Sequence, residues 1–346
     1  MAISRYQFTH CTALLEIVPG DCHGPKGPRN DTVVVAQVRN RYCAKQQFTV
    51  PTGGTMEKKI FALGFFDGVH LGHQALLKAC VELAAQMDVE TAAITFENHP
   101  QSLFVKQTPP LLTTLQDRYR LLLQYGIDHV YTYPVTEKVM STDWQVFLDE
   151  LLIYGSVGFV CGHDFRFGHK GEGDAKKLRR YCEEKGLPCV IVPEQTLNGI
   201  RISSTHIRQL IEQGNMETAS KFLGHPHILG GQVVAGRQVG RTIGIPTANI
   251  LIPEGIVVPR LGVYACRCVI GDAVYKAVTN IGSRPTVGGH QVRSESWILD
   301  FEGDLYGKTI TLEFISMLRP EEQFPSLEAL QAQIHRDAEK ARRILE

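Results

Sequence analysis

The sequence carries no excess of charge: 36 lysines and arginines balance 36 aspartates and glutamates. No whole-molecule field therefore draws it to nucleic acid or to an anionic membrane, and any phosphate ligand must be held locally. Long apolar runs are missing too. None approaches the roughly 20 residues of a membrane-spanning helix, and the N-terminus lacks the charged, apolar and small-residue order of a signal peptide. The cytoplasm is the expected compartment, with neither nucleic acid nor membrane as partner. The nine cysteines are odd in number, scattered, and include no Cys-x-x-Cys pair, so free thiols are expected. Cys266 and Cys268, two apart on a strand, share a face and read as small buried hydrophobes. Also absent is a Walker A sequence, which excludes an ordinary P-loop kinase.

What is present points to two domains. A chain of 346 residues exceeds one ordinary domain of roughly 100–200, and 43% hydrophobic with 21% charged residues is the balance of a globular protein. Residues 1–55 differ from the rest: Pro19-Gly20-Asp21, Gly24-Pro25-Lys26-Gly27-Pro28 and Pro51-Thr52-Gly53-Gly54 break every short apolar stretch. They read as a flexible or spurious extension, with Met56 a candidate start just before the apolar run Ile60-Phe61-Ala62-Leu63. From there to about Leu223, strand-like runs at 91–96, 129–133, 158–161 and 189–192 alternate with helical spacing over 71–87, 115–125, 144–152 and 175–185. Such alternation predicts a parallel α/β sheet with ligands at the carboxyl ends of its strands. After Gly224-His225-Pro226, short β-rich runs from Ile228 to Leu318 predict a small β-barrel, followed by a closing helix over 328–345. The expected domains are thus 56–225 and 226–346, the second long enough to fold alone.

Chemistry concentrates first in Gly64-Phe65-Phe66-Asp67-Gly68-Val69-His70-Leu71-Gly72-His73, which follows a strand and opens a helix. Such a turn offers backbone N–H groups and a helix N-terminus to an anion, and Gly72 lets phosphates approach the backbone. His70 and His73, three apart, share a helical face and can donate to oxygens whose charge grows as a phosphoanhydride breaks. Two histidines alone also fit a surface pair or a partial metal site. Farther on, Ser203, Ser204 and Thr205 can cap a helix and offer hydroxyls, while Arg208 can fork onto a phosphate from the same side.

The run Phe66-Asp67-Gly68-Val69-His70-Leu71-Gly72-His73-Gln74 resembles the His-x-Gly-His element of the nucleotidyltransferase superfamily, in its FMN adenylyltransferase form. Thr95-Phe96-Glu97-Asn98-His99-Pro100 is similar to that family's second-strand motif, although a small acidic residue is common where Asn98 stands. Gly162-His163-Asp164-Phe165-Arg166-Phe167-Gly168 and Ile202-Ser203-Ser204-Thr205-His206-Ile207-Arg208 match two further motifs. The resemblance implies attack of the FMN phosphate on the α-phosphorus of ATP, with Mg²⁺ bridging oxygens and pyrophosphate leaving. It implies that His70 and His73 act on the transferring group, and that Ser204, Thr205 and Arg208 hold the outer phosphates. Asp164 and Phe165 would shape a flavin or adenine pocket, although Phe165 and Phe167 also read as core.

A second set lies in the β-rich half: Gly236-Arg237-Gln238-Val239-Gly240-Arg241-Thr242-Ile243-Gly244-Ile245-Pro246-Thr247-Ala248-Asn249. Its glycines suit a loop that wraps phosphates with amides, and Thr247 with Asn249 offers the oxygen ligands Mg²⁺ prefers. The run resembles the riboflavin kinase signature, as do Leu261–Ala265, Asn280–Thr286 and Glu295 followed by Asp300-Phe301. The resemblance places Gly236, Gly240 and Arg241 on phosphates, Thr247 and Asn249 on Mg²⁺-ATP, and Glu295 as general base for the riboflavin 5′-hydroxyl. One departure is Trp297, where that family usually carries histidine, on the same strand face as Glu295. Taken together, the two sets imply that riboflavin is converted to FMN and FMN to FAD, with ATP as co-substrate.

Overall fold

The computed structural model describes Val35–Ala36, residues 57–236, 244–286 and 289–346. The rest of 1–55, with Met56 and the phosphate-loop candidates Gly240 and Arg241, lies outside the described residues. By its packing the chain forms two compact units. One comprises the chain up to Phe66, His73–Thr108 and Tyr119–Glu194; the other comprises Asp67–Gly72, Pro109–Arg118 and Gln195–Glu346.

The first unit is built on a parallel sheet. Strand β1 (Val35–Ala36) pairs antiparallel with β4 (His129–Tyr133), beyond which come β3 (Glu90–Phe96), β2 (Lys59–Leu63), β5 (Ser156–Gly162) and β8 (Cys189–Val192), all parallel to β4. Strands covered on both faces read as continuous apolar runs, and every residue of β2 is buried. Helices α1 (Leu71–Met87), α2 (Leu115–Gln124), α4 (Trp144–Ile153) and α5 (Ala175–Lys185) match the expected helical spans to within a residue or two. Phe147, Leu148 and Leu151 of α4 pack with Leu178, Tyr181 and Cys182 of α5 against Phe61, Leu63, Phe159 and Cys161 of the sheet. Asp143 caps α4 by accepting from Gln145 N at 2.8 Å, and Asp174 caps α5 by accepting from Lys177 N at 2.8 Å. Four short pieces were not expected: β1, which falls within residues 1–55, α3 (Glu137–Met140), and the two-residue strands β6 (Arg166–Phe167) and β7 (Gly173–Asp174). They are too short to show a period.

The second unit contains the expected barrel. Strands β11 (His227–Gln232), β16 (Thr309–Pro320), β13 (Gly262–Ile270), β14 (Ala273–Thr286), β15 (Gly289–Ile298) and β12 (Ala248–Leu251) pair in that order, antiparallel throughout. Irregularities in the β13–β16 register at Val263/Tyr264 and Ala265/Cys266 help the sheet curl. Val234 N donates to Asn249 O at 2.9 Å, which brings the ends of the sheet together. Ahead of the barrel strands in sequence, β9 (Thr196–Leu197) and β10 (Ile200–Arg201) form a small hairpin, followed by α6 (Ser204–Glu212) and α7 (Met216–Leu223).

Cys266 and Cys268 are buried free thiols in the barrel core, beside Ala277, Ile298, Leu312 and Phe314. The closing helix α8 (Leu327–Ile344) covers a separate cluster through Ala338 and Ala341. Trp297 joins that cluster, edge-on to His335 of α8 with ring centroids 5.5 Å apart. The departure from the histidine pattern is thus spent on seating the helix. Arg319 locks the same helix, its Nε and Nη2 each 2.9 Å from Asp337 Oδ2.

The barrel core extends beyond residue 226. Ile207, Ile211, Met216, Phe222 and Leu223 of α6 and α7 belong to the same apolar cluster as the barrel interior. A fragment 195–346 is therefore expected to exceed a fragment 226–346 in unfolding free energy by at least about 2 kcal/mol, the burial of one large apolar side chain. Urea unfolding of the two fragments measures this, and equal stabilities would show that the helices add nothing to the barrel.

Candidate functional site

The turn between β2 and α1 is bent in a way few sequences tolerate. Phe66, Gly68 and Val69 all have positive φ, at 57°, 75° and 39°. For a β-branched residue such as Val69 that is a costly conformation, held only because the surroundings over-determine it. Gly68 has no alternative: a Cβ there would lie 2.6 Å from Leu112 Cδ1. Successive amides in such a turn form a concave anion-binding nest, here at the start of α1.

Several groups fix this turn. The Asp67 carboxylate, 2% exposed, accepts from Leu112 N at 2.8 Å and Thr113 N at 3.3 Å, with Arg208 Nη2 at 3.7 Å. Burial raises its pKa, opposed by the charges of Arg118 and Arg208 and by the two amides. Gly68 N donates to Thr113 Oγ1 at 3.1 Å, and Ser204 Oγ donates to Asp67 O at 3.2 Å. His70 is buried directly after the turn, and Gly72 is the second residue of α1. Of the three hydroxyl residues at α6, Ser203 is the cap, accepting from His206 N at 3.3 Å. Ser204 is half-buried and Thr205 exposed. Arg208 is buried, with its Nε donating to Pro110 O at 2.6 Å, so its guanidinium is oriented by this unit before any ligand arrives. The roles of Asp67 and of the 109–118 segment were not read from the sequence. Asp67 lay inside the recognised motif, but its partners are 45 residues away.

In the first unit a cleft of about 690 Å³ opens at the carboxyl ends of the parallel strands. Its volume is that of a site for a medium-sized organic ligand. His73, Asp164 and Phe165 all line it, among Phe65, Phe96, Phe104 and Phe147. Phe165 stacks on Phe167 at 5.6 Å with 17° between planes, and His73 stands edge-on to Phe66 at 5.4 Å. Phe167 is core, 6% exposed, whereas Phe165 is half-buried and presents a flat aromatic surface. Aromatic walls with few polar groups suit a planar heteroaromatic ring.

In the barrel, Gly236, Thr247 and Asn249 line one pocket with Phe301, Asp304 and Tyr306. Gly236 packs so closely on Asn249 that a Cβ would fall 2.7 Å from Nδ2. Asn249 is 4% exposed, its Nδ2 faces Thr247 O at 3.5 Å, and its Oδ1 is buried without a hydrogen-bond partner. A buried acceptor without a donor costs about 1–3 kcal/mol, which a bound cation would offset. Glu295 is the cross-strand partner of Asn249, so the two side chains share one face of the sheet. Residues 46 apart in sequence thus become neighbours, bringing a carboxylate beside an oxygen donor suited to a hard divalent ion.

Comparison with known proteins agrees with two sites. The model of the FAD synthetase family matches residues 54–206, and that of the riboflavin kinase family matches residues 223–345. The chain is 37% identical over 288 residues to the bifunctional riboflavin kinase/FMN adenylyltransferase of Listeria monocytogenes, covering 82% of this chain and 91% of that protein. Against the enzyme of the same name from Escherichia coli K12, identity is 38% over 287 residues, with coverage of 82% and 91%. A crystal structure described as a macrolide-efflux protein from Streptococcus pneumoniae superposes with a TM-score of 0.74 at 31% identity, covering 84% of this chain and 95% of that one. Among the described residues here, no helix is long and apolar enough to cross a membrane.

Proposed function

The chain belongs to the family of bifunctional riboflavin kinase/FMN adenylyltransferases, and from that premise we propose how its residues divide the two transfers. The protein phosphorylates riboflavin to FMN with ATP, then joins FMN to the AMP portion of a second ATP, giving FAD and pyrophosphate.

Phosphorylation belongs to the barrel. Glu295 takes the proton of the riboflavin 5′-hydroxyl as that oxygen attacks the γ-phosphorus of ATP, whose bond to the bridging oxygen breaks so that ADP leaves. Thr247 and Asn249 would hold a divalent cation, which we assign as Mg²⁺ and which would supply charge neutralisation on the phosphate oxygens. Gly236, Gly240 and Arg241 complete the phosphate contacts. The observation that carries this assignment is the pairing of Asn249 with Glu295, beside a buried oxygen that lacks a hydrogen-bond donor.

Adenylylation needs no covalent intermediate: the FMN phosphate attacks the α-phosphorus and pyrophosphate leaves. His70 and His73 donate to the oxygens on which charge grows, Gly72 and the nest receive phosphate, and Ser204, Thr205 and Arg208 hold the outer phosphates. The aromatic cleft, with Asp164 and Phe165, takes the isoalloxazine ring. Two catalytic domains, 56–225 and 226–346, follow, with 1–55 an extension ahead of them, a reading supported by the family match beginning at residue 54. A cytoplasmic location suits substrates drawn from the cell's ATP and flavin pools.

Incubating the full chain with riboflavin, ATP and Mg²⁺, then separating the flavins, tests the reading. FMN should appear first, followed by FAD with one pyrophosphate released for each. FMN without FAD would leave a kinase only, and neither product would overturn both assignments.

A further inference from the structure

The Gly224-His225-Pro226 segment marks the entry to the barrel in sequence, and neither transfer as described uses it. Gly224 ends α7 in the left-handed conformation, and β11 begins at His227. Between them, the His225 ring is clamped by two main-chain oxygens. Its Nε2 lies 3.0 Å from Gly68 O, and its Nδ1 lies 2.7 Å from Pro226 O.

Carbonyl oxygens only accept, so each short contact calls for an N–H on the ring. Burial lowers the pKa of His225, which favours the neutral ring, so one of the two contacts is a donated hydrogen bond in whichever tautomer is present. The neighbouring His227 is buried against Phe314 and pushed down to about 3 by that burial, so it adds no positive charge here.

The Gly68 end of this clamp sits in the strained turn that precedes His70. Thr113 holds that turn at the Gly68 amide, Ser204 holds it at the Asp67 carbonyl, and His225 holds it at the Gly68 carbonyl. Each removes one direction in which the turn can relax. Relaxation would rotate the amides of the nest and displace His70, whose value depends on standing where charge develops.

We propose that His225 is a positioning residue for FAD formation, fixing the phosphate-binding turn through the Gly68 carbonyl. The inference rests on the assignment of adenylylation to His70 and its turn. It also gives the first residues of the kinase barrel a direct hold on the other transfer, because the second end of the clamp is the carbonyl of Pro226.

The test compares His225→Ala, His225→Leu and His225→Gln in the full chain, measuring FMN-to-FAD and riboflavin-to-FMN kinetics separately. His225→Ala should lower kcat for FAD formation about 10-fold or more, since small displacements of a reacting geometry cost up to 10²-fold. KM for ATP and FMN should stay near wild type, and kcat for FMN formation should not change. His225→Gln, whose side-chain amide can still donate to the Gly68 carbonyl, should recover most of the lost rate; His225→Leu, of similar bulk but without a donor, should remain impaired. If His225→Ala does not fold, the Leu and Gln variants alone decide. Unchanged FAD kinetics in the Ala or Leu variant, a parallel fall in both activities, or no recovery with Gln would each overturn the proposal. A wild-type chain that makes no FAD would instead overturn the adenylylation assignment beneath it.

Discussion

Replacing His70 or His73 by alanine is expected to leave riboflavin phosphorylation running while FAD formation slows on the order of 10²–10³-fold for each donor removed. The magnitude follows from what the imidazoles do. A donor aimed at charge that exists only in the transition state contributes little to binding and much to rate, so kcat falls more than KM rises. His70 is buried after a strained turn, and His73 lines the aromatic cleft, so both are held before substrate arrives. The kinase residues Thr247, Asn249 and Glu295 stand in the barrel and keep their packing in these variants. Flavin separation after incubation with riboflavin and ATP should show FMN accumulating. A normal FAD yield from the double variant would remove both histidines from the mechanism.

Glu295→Gln should do the opposite. Glutamine keeps the size and can hydrogen-bond, but it cannot accept the hydroxyl proton, and loss of a general base costs on the order of 10²–10⁴ in rate. FMN formation should collapse, ATP binding should stay close to wild type, and added FMN should still be converted to FAD. Thr247→Ala provides the contrast. Removing a cation ligand should weaken Mg²⁺-ATP binding as well as turnover, so KM for ATP rises along with the fall in kcat. Steady-state kinetics with riboflavin or FMN as the starting flavin separate these results. If the Gln variant phosphorylates riboflavin at the wild-type rate, Glu295 is not the base.

Much of the architecture was legible because it rests on local patterns. The strand His129–Tyr133 and the helices Leu71–Met87 and Ala175–Lys185 have the limits that apolar periodicity and caps indicate. The shared face of Glu295 and Trp297 was also readable, since alternate residues of a strand point the same way. What Trp297 meets was not, because His335 reaches it only when α8 packs back on the sheet. The same limit applies to Asn249 and Glu295, whose neighbourhood depends on the β12–β15 register and leaves no local trace. Asp67 illustrates the gap most clearly. Its place in the motif gave it no role of its own, whereas its carboxylate is buried against the amides of Leu112 and Thr113. The inclusion of α6 and α7 in the barrel core was hidden because their amphipathic pattern states that one face is buried, not against what.

The turn around Gly68 is among the earliest parts of the described chain to be synthesised, yet its three anchors lie far downstream. Thr113, Ser204 and His225 contact it across 45, 137 and 157 residues respectively. Contacts of such long separation form only after the intervening chain has been ordered, and the entropy of closing those loops is paid first. On the ribosome, the parallel sheet can be completed while this turn has only its Leu112 and Thr113 contacts and still lacks Ser204 and His225. The segment that starts the first catalytic motif is therefore among the last to take its working shape, and it does so as the chain reaches the barrel.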